Sequence, residues 1–201
     1  MTSPEPTRPE PTRPEPTITE PPRKSPWSLR ARITRALWGV CEPVLWKLSP
    51  VPWHGFRCSL LRLFGAKVGR GVKIHPRVKV IIPWHIELAD TVVVHEGAIL
   101  YALGRIAIGE GSEVGPFCHI CAGTHDYTDP GFTLLRQPIT VKESCTLGAG
   151  SFLAPDVTLA PRTVLAPRAA VYADTEPGGL YLGNPAKIQS PEPATLAEGV
   201  A

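Results

Sequence analysis

The stretch Val141-Lys-Glu-Ser-Cys145-Thr-Leu147-Gly-Ala-Gly-Ser151-Phe-Leu153-Ala-Pro-Asp-Val157-Thr-Leu159-Ala-Pro-Arg-Thr163-Val-Leu165-Ala-Pro-Arg-Ala169-Ala-Val171 returns an aliphatic residue at every sixth position. An α-helix places apolar residues about 3.6 apart and a strand about 2 apart, so an unbroken period of six excludes both as long regular elements. The position four after each aliphatic is small or β-branched (Cys145, Ser151, Val157, Thr163, Ala169, Thr175). The position one after is often Gly or Ala, as at Gly148, Ala154, Ala160 and Ala166. This is a short structural repeat.

Each hexad reads as one short strand plus a bend, and three hexads close a triangular coil. The fold class that follows is an all-β solenoid, a parallel β-helix of hexapeptide repeats. The aliphatic fills the prism, the small residue shares the interior beside the corner, and Gly or Ala lets the backbone turn without a bulky Cβ. Coils stack at strand spacing, about 4.8 Å, and none buries its apolar face without neighbours. The phasing continues upstream: Val68, Ile74 and Val80 form one run, Leu88, Val94 and Leu100 a second, and Ile108, Val114 and Ile120 a third, with two-residue slips between runs. Between Ile120 and Val141 the rhythm fails, which predicts a protruding loop over 121–138.

The N-terminus is of a different composition. Pro4-Glu-Pro-Thr-Arg8 recurs as Pro9-Glu-Pro-Thr-Arg13. Its prolines block helices and sheet ladders, so residues 1–26 are expected to be a disordered tail whose near-balanced charge suits no nucleic acid. From 27 to 64 the chain is basic and Trp-rich: Arg30, Arg32, Arg35, Lys47, Arg57 and Arg62 face only Glu42, interleaved with Trp27, Trp38, Trp46, Trp53 and Phe56. Two expectations attach to it. One is a helical cap over the open end of the solenoid, with Leu29, Ile33, Leu37 and Leu45 on its buried side. The other is peripheral contact with the inner membrane, through basic residues and interfacial Trp. The β-helix domain is expected over 65–188, followed by a flexible tail over 189–201. No run of about 18 apolar residues and no secretory signal pattern is visible, so the expected location is the cytoplasm.

The five cysteines, Cys41, Cys58, Cys118, Cys121 and Cys145, form no disulfide framework. Cys118 and Cys145 fall on the small interior position, where Cys acts as a small hydrophobe, and no second C-x-x-C or paired His motif turns Cys118 and Cys121 into a metal site.

The runs Leu61-Arg-Leu-Phe-Gly-Ala-Lys-Val-Gly69, Thr124-His-Asp-Tyr-Thr-Asp-Pro130 and Gly183-Asn-Pro-Ala-Lys187 resemble those of the hexapeptide-repeat acyltransferases. The branch they resemble is that of the colanic acid biosynthesis acetyltransferases, relatives of maltose, galactoside and serine acetyltransferases. The resemblance covers roughly Phe56 to Ile188. It implies a left-handed β-helix, a homotrimer with sites between subunits, and acetyl-CoA as donor with no metal. It also implies His125 as catalytic base. On chemical grounds a sugar hydroxyl needs its proton removed as it attacks, and an imidazole with an ordinary pKa near 6.5 suits that task. Asp126 and Asp129 are candidates either to support the imidazole or to shape the loop. Carried over by position, cofactor contacts would come from Gly148, Ala149, Ala166, Pro167, Gly183, Asn184 and Lys187. Two positions depart from the pattern: Tyr172-Ala173 stands where relatives often carry Thr-Lys, and Ala102 where they often carry Asn. The first bears on cofactor affinity and the second on acceptor recognition.

The function these readings converge on is O-acetylation of a sugar or lipid-linked glycan acceptor in exopolysaccharide or related glycan assembly. Two other classes use the same fold. A γ-carbonic-anhydrase-like zinc enzyme would need three imidazoles drawn from His75, His85, His95, His119 and His125. A non-catalytic scaffold would keep the coils and lose the chemistry.

Overall fold

The computed structural model of the chain describes residues 28–189; the tail expected over 1–26, Trp27, and all of the tail expected over 189–201 except Gln189 lie outside the described residues, and Gln189 ends a strand rather than beginning a tail. Helix α1 spans Leu29–Cys41 and runs into a π-helical turn at Glu42–Trp46; helix α2 spans His54–Leu63. Ser28 caps α1 by accepting the Ala31 N–H. About six turns of parallel β-solenoid follow.

The solenoid has three faces. The first is built from Lys67–Val68, Ile86–Leu88, Ile106–Ile108, Ile139–Val141 and Thr158–Leu159. The second holds Lys73–Ile74, Val93–Val94, Glu113–Val114, Thr146–Leu147, Val164–Leu165 and Leu180–Leu182, and the antiparallel strand Lys187–Gln189 closes it. The third holds Lys79–Val80, Ile99–Tyr101, His119–Cys121, Phe152–Leu153 and Ala170–Val171. Apart from the closing antiparallel pair of Leu180–Leu182 with Lys187–Gln189, consecutive strands do not pair within a face; each pairs in parallel with the strand one turn away, as Thr146 with Glu113 and Val164. The period of six is therefore one face, and three periods make one turn.

The interior follows the hexad. Ile74, Val94, Val114, Leu147 and Leu165 stack down the inside of the second face, all buried. The small positions Ser112, Ser151 and Thr163 are buried as well, and their hydroxyls serve the corners: Ser112 donates to the Lys142 carbonyl and Thr163 to that of Ala160. Cys118 and Cys145 occupy the same kind of position, where burial pushes their thiols up, away from the reactive thiolate.

The N-terminal segment covers the open end, by different side chains from those expected. The first coil sends its N–H groups to the second, as Lys73 to Val92 and Lys79 to Ala98, which leaves its outward carbonyls without a strand partner. Side chains of the cap supply the donors. Trp38 Nε1 donates to Val80 O at 2.7 Å, Trp46 Nε1 to Val78 O at 3.0 Å, Arg57 Nε to Ile74 O at 2.7 Å and Arg62 Nε to Val68 O at 3.0 Å. Trp38, Trp46, Arg57 and Leu61 are buried, whereas Leu29, Ile33, Leu37 and Leu45 are exposed. The expectation for those four is corrected for a physical reason: an edge of unpaired carbonyls selects N–H donors over aliphatic side chains.

Candidate active site

The break in the repeat is a β-hairpin that leaves the solenoid between the third face and the first. Its strands are Thr124–His125 and Leu134–Leu135, paired antiparallel with His125 opposite Leu134. His125 Nδ1 lies 2.8 Å from the Phe132 carbonyl oxygen. A carbonyl only accepts, so Nδ1 carries a proton, and in the neutral ring Nε2 is then the nitrogen with the lone pair. The Phe132 ring lies parallel to the imidazole, centroids 4.4 Å apart and planes 11° apart. Tyr127 packs edge-on against that ring from the other side of the turn. Phe132 adopts this place with φ of +49°, a strained region for a bulky residue.

The two carboxylates bond within the loop. Asp126 accepts from the Thr128 backbone N–H and hydroxyl and from the Asp129 N–H; Asp129 accepts from the Gly131 N–H and from both the N–H and the hydroxyl of Thr133. The Thr128 hydroxyl and N–H hold the Asp126 carboxyl below its usual range. The ring partner of His125 is thus a main-chain carbonyl seven residues on, which no residue type announces.

Most of the expected cofactor residues share one corner, where the second face turns into the third. Gly148 and Ala149 form that corner in one coil and Ala166 and Pro167 in the next, tied by Gly148 N to Leu165 O and Arg168 N to Ala149 O. Gly183 and Asn184 sit above them, since Gly183 O accepts from Ala170 N and Ala186 N donates to Ala170 O. Lys187 stands apart from the corner, on the strand returning along the second face. Ala149, Pro167, Arg168 and Asn184 are exposed, so the corner is a smooth edge of small side chains with cationic Arg168 beside it. Arg168 was not singled out from sequence; its signal is its place three after Leu165 in the hexad.

One distance in topology matters more than any contact. His125 projects from the corner between the third and first faces, most of the expected cofactor residues lie at the corner between the second and third, and the full third face separates them. The outward residues of that face are unlike the other two. Lys67, Glu87 and Thr140 point out from the first face, and Lys73, Glu113 and Thr146 from the second. From the third come exposed Lys79 in the first coil and then Ile99, Tyr101, His119, Cys121 and Phe152, partly buried. The His119 ring is held edge-on between Tyr101 and Phe152, and its Nε2 is buried with no hydrogen-bond partner among the described residues. Burial pushes this imidazole down in pKa, toward its neutral form.

The other histidines are dispersed. His85 Nδ1 meets the Ala102 carbonyl, His95 the Glu113 carboxylate and His75 the Glu96 carboxylate. Among the described residues no three His, Cys, Asp or Glu side chains gather where they could hold a metal ion.

The fold, a parallel solenoid of hexads, is one shared by known acetyltransferases. The chain is 37% identical over 152 residues to the "putative colanic acid biosynthesis acetyltransferase WcaF" of Escherichia coli, covering 76% of this chain and 84% of that protein. The chain belongs to the hexapeptide-repeat acetyltransferases. Among solved structures, an acetyl-CoA complex of a hexapeptide-repeat acetyltransferase from Vibrio cholerae superposes with a TM-score of 0.74 at 20% identity, over 81% of this chain and 89% of that one. A maltose O-acetyltransferase from Clostridium difficile gives a TM-score of 0.74 at 16% identity, over 81% and 88%. The fold they share is the left-handed β-helix. No protein-family model matches the chain.

Proposed function

We propose that this protein transfers an acetyl group from acetyl-CoA to a sugar hydroxyl, on a free or lipid-linked unit of exopolysaccharide or related glycan assembly, in the cytoplasm. The observation that carries the reading is the 2.8 Å contact of His125 Nδ1 with the Phe132 carbonyl: with Nδ1–H given to that oxygen, Nε2 of the neutral ring is the basic atom the reaction needs. His125 takes the proton of the attacking hydroxyl at Nε2 as the oxygen adds to the thioester carbonyl. The tetrahedral intermediate collapses, the carbon–sulfur bond breaks, and the proton held on the imidazolium goes to the departing thiolate. The Phe132 carbonyl keeps the ring aimed and stabilises its charged form in between. Asp126 and Asp129 hold the hairpin in shape.

Gly148, Ala149, Ala166, Pro167, Gly183 and Asn184 form the edge along which the donor lies, with Arg168 and Lys187 as cations for its phosphates. Arg168 takes the part that Ala173 leaves empty. The active unit is a homotrimer. What supports it is the apolar third face, flanked by the two halves of the site: if three copies turn that face inward, each copy's hairpin meets the next copy's cofactor corner. A head-to-tail contact of this kind closes into a ring.

The test is acetyl-CoA-dependent acetylation of a panel of sugars by the purified chain. His125→Ala is expected to lower turnover by about 10²- to 10⁴-fold while acetyl-CoA still binds by isothermal titration. Turnover retained in that variant would remove His125 from the mechanism.

A further inference from the structure

We infer that the outer side of the N-terminal cap is a membrane-docking surface, which lays α1 in the headgroup layer of an anionic bilayer. Leu29, Ile33, Leu37 and Val40 fall within an arc of about 80° on a helix that turns about 100° per residue. They are 71%, 53%, 58% and 67% exposed. The opposite side of α1 is already committed: Trp38 and Cys41 are buried, and the Trp38 indole is hydrogen-bonded to the solenoid. The exposed stripe is therefore a second apolar face on a helix whose first face is packed. Further along the cap Val44, Leu48, Trp53 and Phe56 are exposed as well. Monomeric proteins rarely leave an apolar surface of this extent without a partner.

Charge decides which partner. The charged residues of α1 are Arg30, Arg32 and Arg35, with no carboxylate on the helix. Glu42 is the only acidic residue from 21 to 86, and it pairs with Lys47. A second copy docked face to face would bring these arginines against their own counterparts. Anionic headgroups would neutralise them while the aliphatic stripe enters the acyl boundary, with Trp53 and Phe56 at the level aromatic residues favour. Among the described residues no helix is long and apolar enough to cross a membrane, so the helix lies along the surface. Since α1 and α2 cap the first coil, the His125 hairpin, which leaves the solenoid two coils further on, would stand roughly 10–15 Å beyond the cap. That height suits an acceptor sugar carried on lipid. This last consequence rests on the acyl-transfer reading, whereas the docking itself does not.

The experiment is co-sedimentation of the full chain with phosphatidylcholine vesicles, with and without phosphatidylglycerol. Binding is expected to the phosphatidylglycerol vesicles at low salt and to be lost at high salt. Arg30→Gln and Arg32→Gln should each weaken it by about five-fold. The double variant Ile33→Glu, Leu37→Glu should abolish it, with acetyl-CoA affinity and elution volume unchanged. No binding to anionic vesicles at low salt would overturn the inference. So would a double variant that changes the oligomer's size and still binds vesicles, since the stripe would then be an interface between copies. Failure of acetyl-CoA to bind would count against the enzyme reading and leave the vesicle result standing.

Discussion

His125 stands out in the sequence as a candidate base because it sits where the hexad fails, in a run that resembles the family's, but no letter marks the group that its ring nitrogen meets. Every residue carries a carbonyl, so nothing in the letters marks Phe132 O as the one that receives Nδ1–H. The hairpin register decides it, by placing His125 opposite Leu134 and turning the Pro130-Gly131-Phe132 bend back over the imidazole. Asp126 and Asp129 could be read as turn formers from their place before Pro130, and they accept loop N–H groups, those of Thr128 and Gly131 among them. The hydrogen bond to His125 is a main-chain one and survives any side-chain change at 132; the ring contact does not. Phe132→Ala should therefore lower kcat by about two- to ten-fold, the worth of one aromatic contact, with the KM for acetyl-CoA unchanged. A loss as large as that of His125→Ala would mean that the whole hairpin has moved, and no loss would show the stack to be idle.

The coils were legible from their period, and their corners only in part. Gly after the aliphatic reads as a turn residue, yet at Gly115 and Gly148 the need is room: a Cβ on Gly115 would lie 2.4 Å from the Leu147 carbonyl oxygen, and one on Gly148 would lie 2.6 Å from that of Leu165. The left-handed backbone falls two residues later, on Phe117, Arg168, Asp156 and others too mixed in type to signal it. The cap shows the same limit. An apolar pattern at helical spacing suggested which side of α1 is inside, and the pattern belongs to the outside. What fixes the inner side is the row of first-coil carbonyls, a demand that arises only once the coil has formed. Trp38→Phe keeps the ring and removes the donor, leaving Val80 O buried without a partner. It should cost about 1–3 kcal/mol in thermal or denaturant unfolding, as should Trp46→Phe for Val78 O. Leu37→Ala, which touches no such group, is expected to stay within about 0.5 kcal/mol. Equal effects from all three would mean that the indole hydrogen bonds contribute nothing to holding the cap.

The catalytic candidate and most of the cofactor candidates stand on different corners of one prism, a relation that no motif in the chain displays. Hexads repeat along the chain, and which side of the third face a hexad's corner lies on depends on counting turns by three across two slips and one insertion. With the count in hand, the third face separates the two sets of candidates, and its outward side carries Ile99, Tyr101, His119 and Phe152, with a buried His119 Nε2 that has no hydrogen-bond partner among the described residues. If each site takes His125 from one copy and the cofactor corner from the next, two dead variants should cure each other. His125→Ala lacks the base and keeps the corner; Ala149→Trp blocks the exposed corner and keeps the base. Each alone should be inactive at full concentration. Unfolded together and refolded, the mixture should regain a fraction of wild-type turnover, because some interfaces then pair an intact hairpin with an intact corner. A hairpin serving its own corner predicts no recovery, since every chain in the mixture would still carry one broken half.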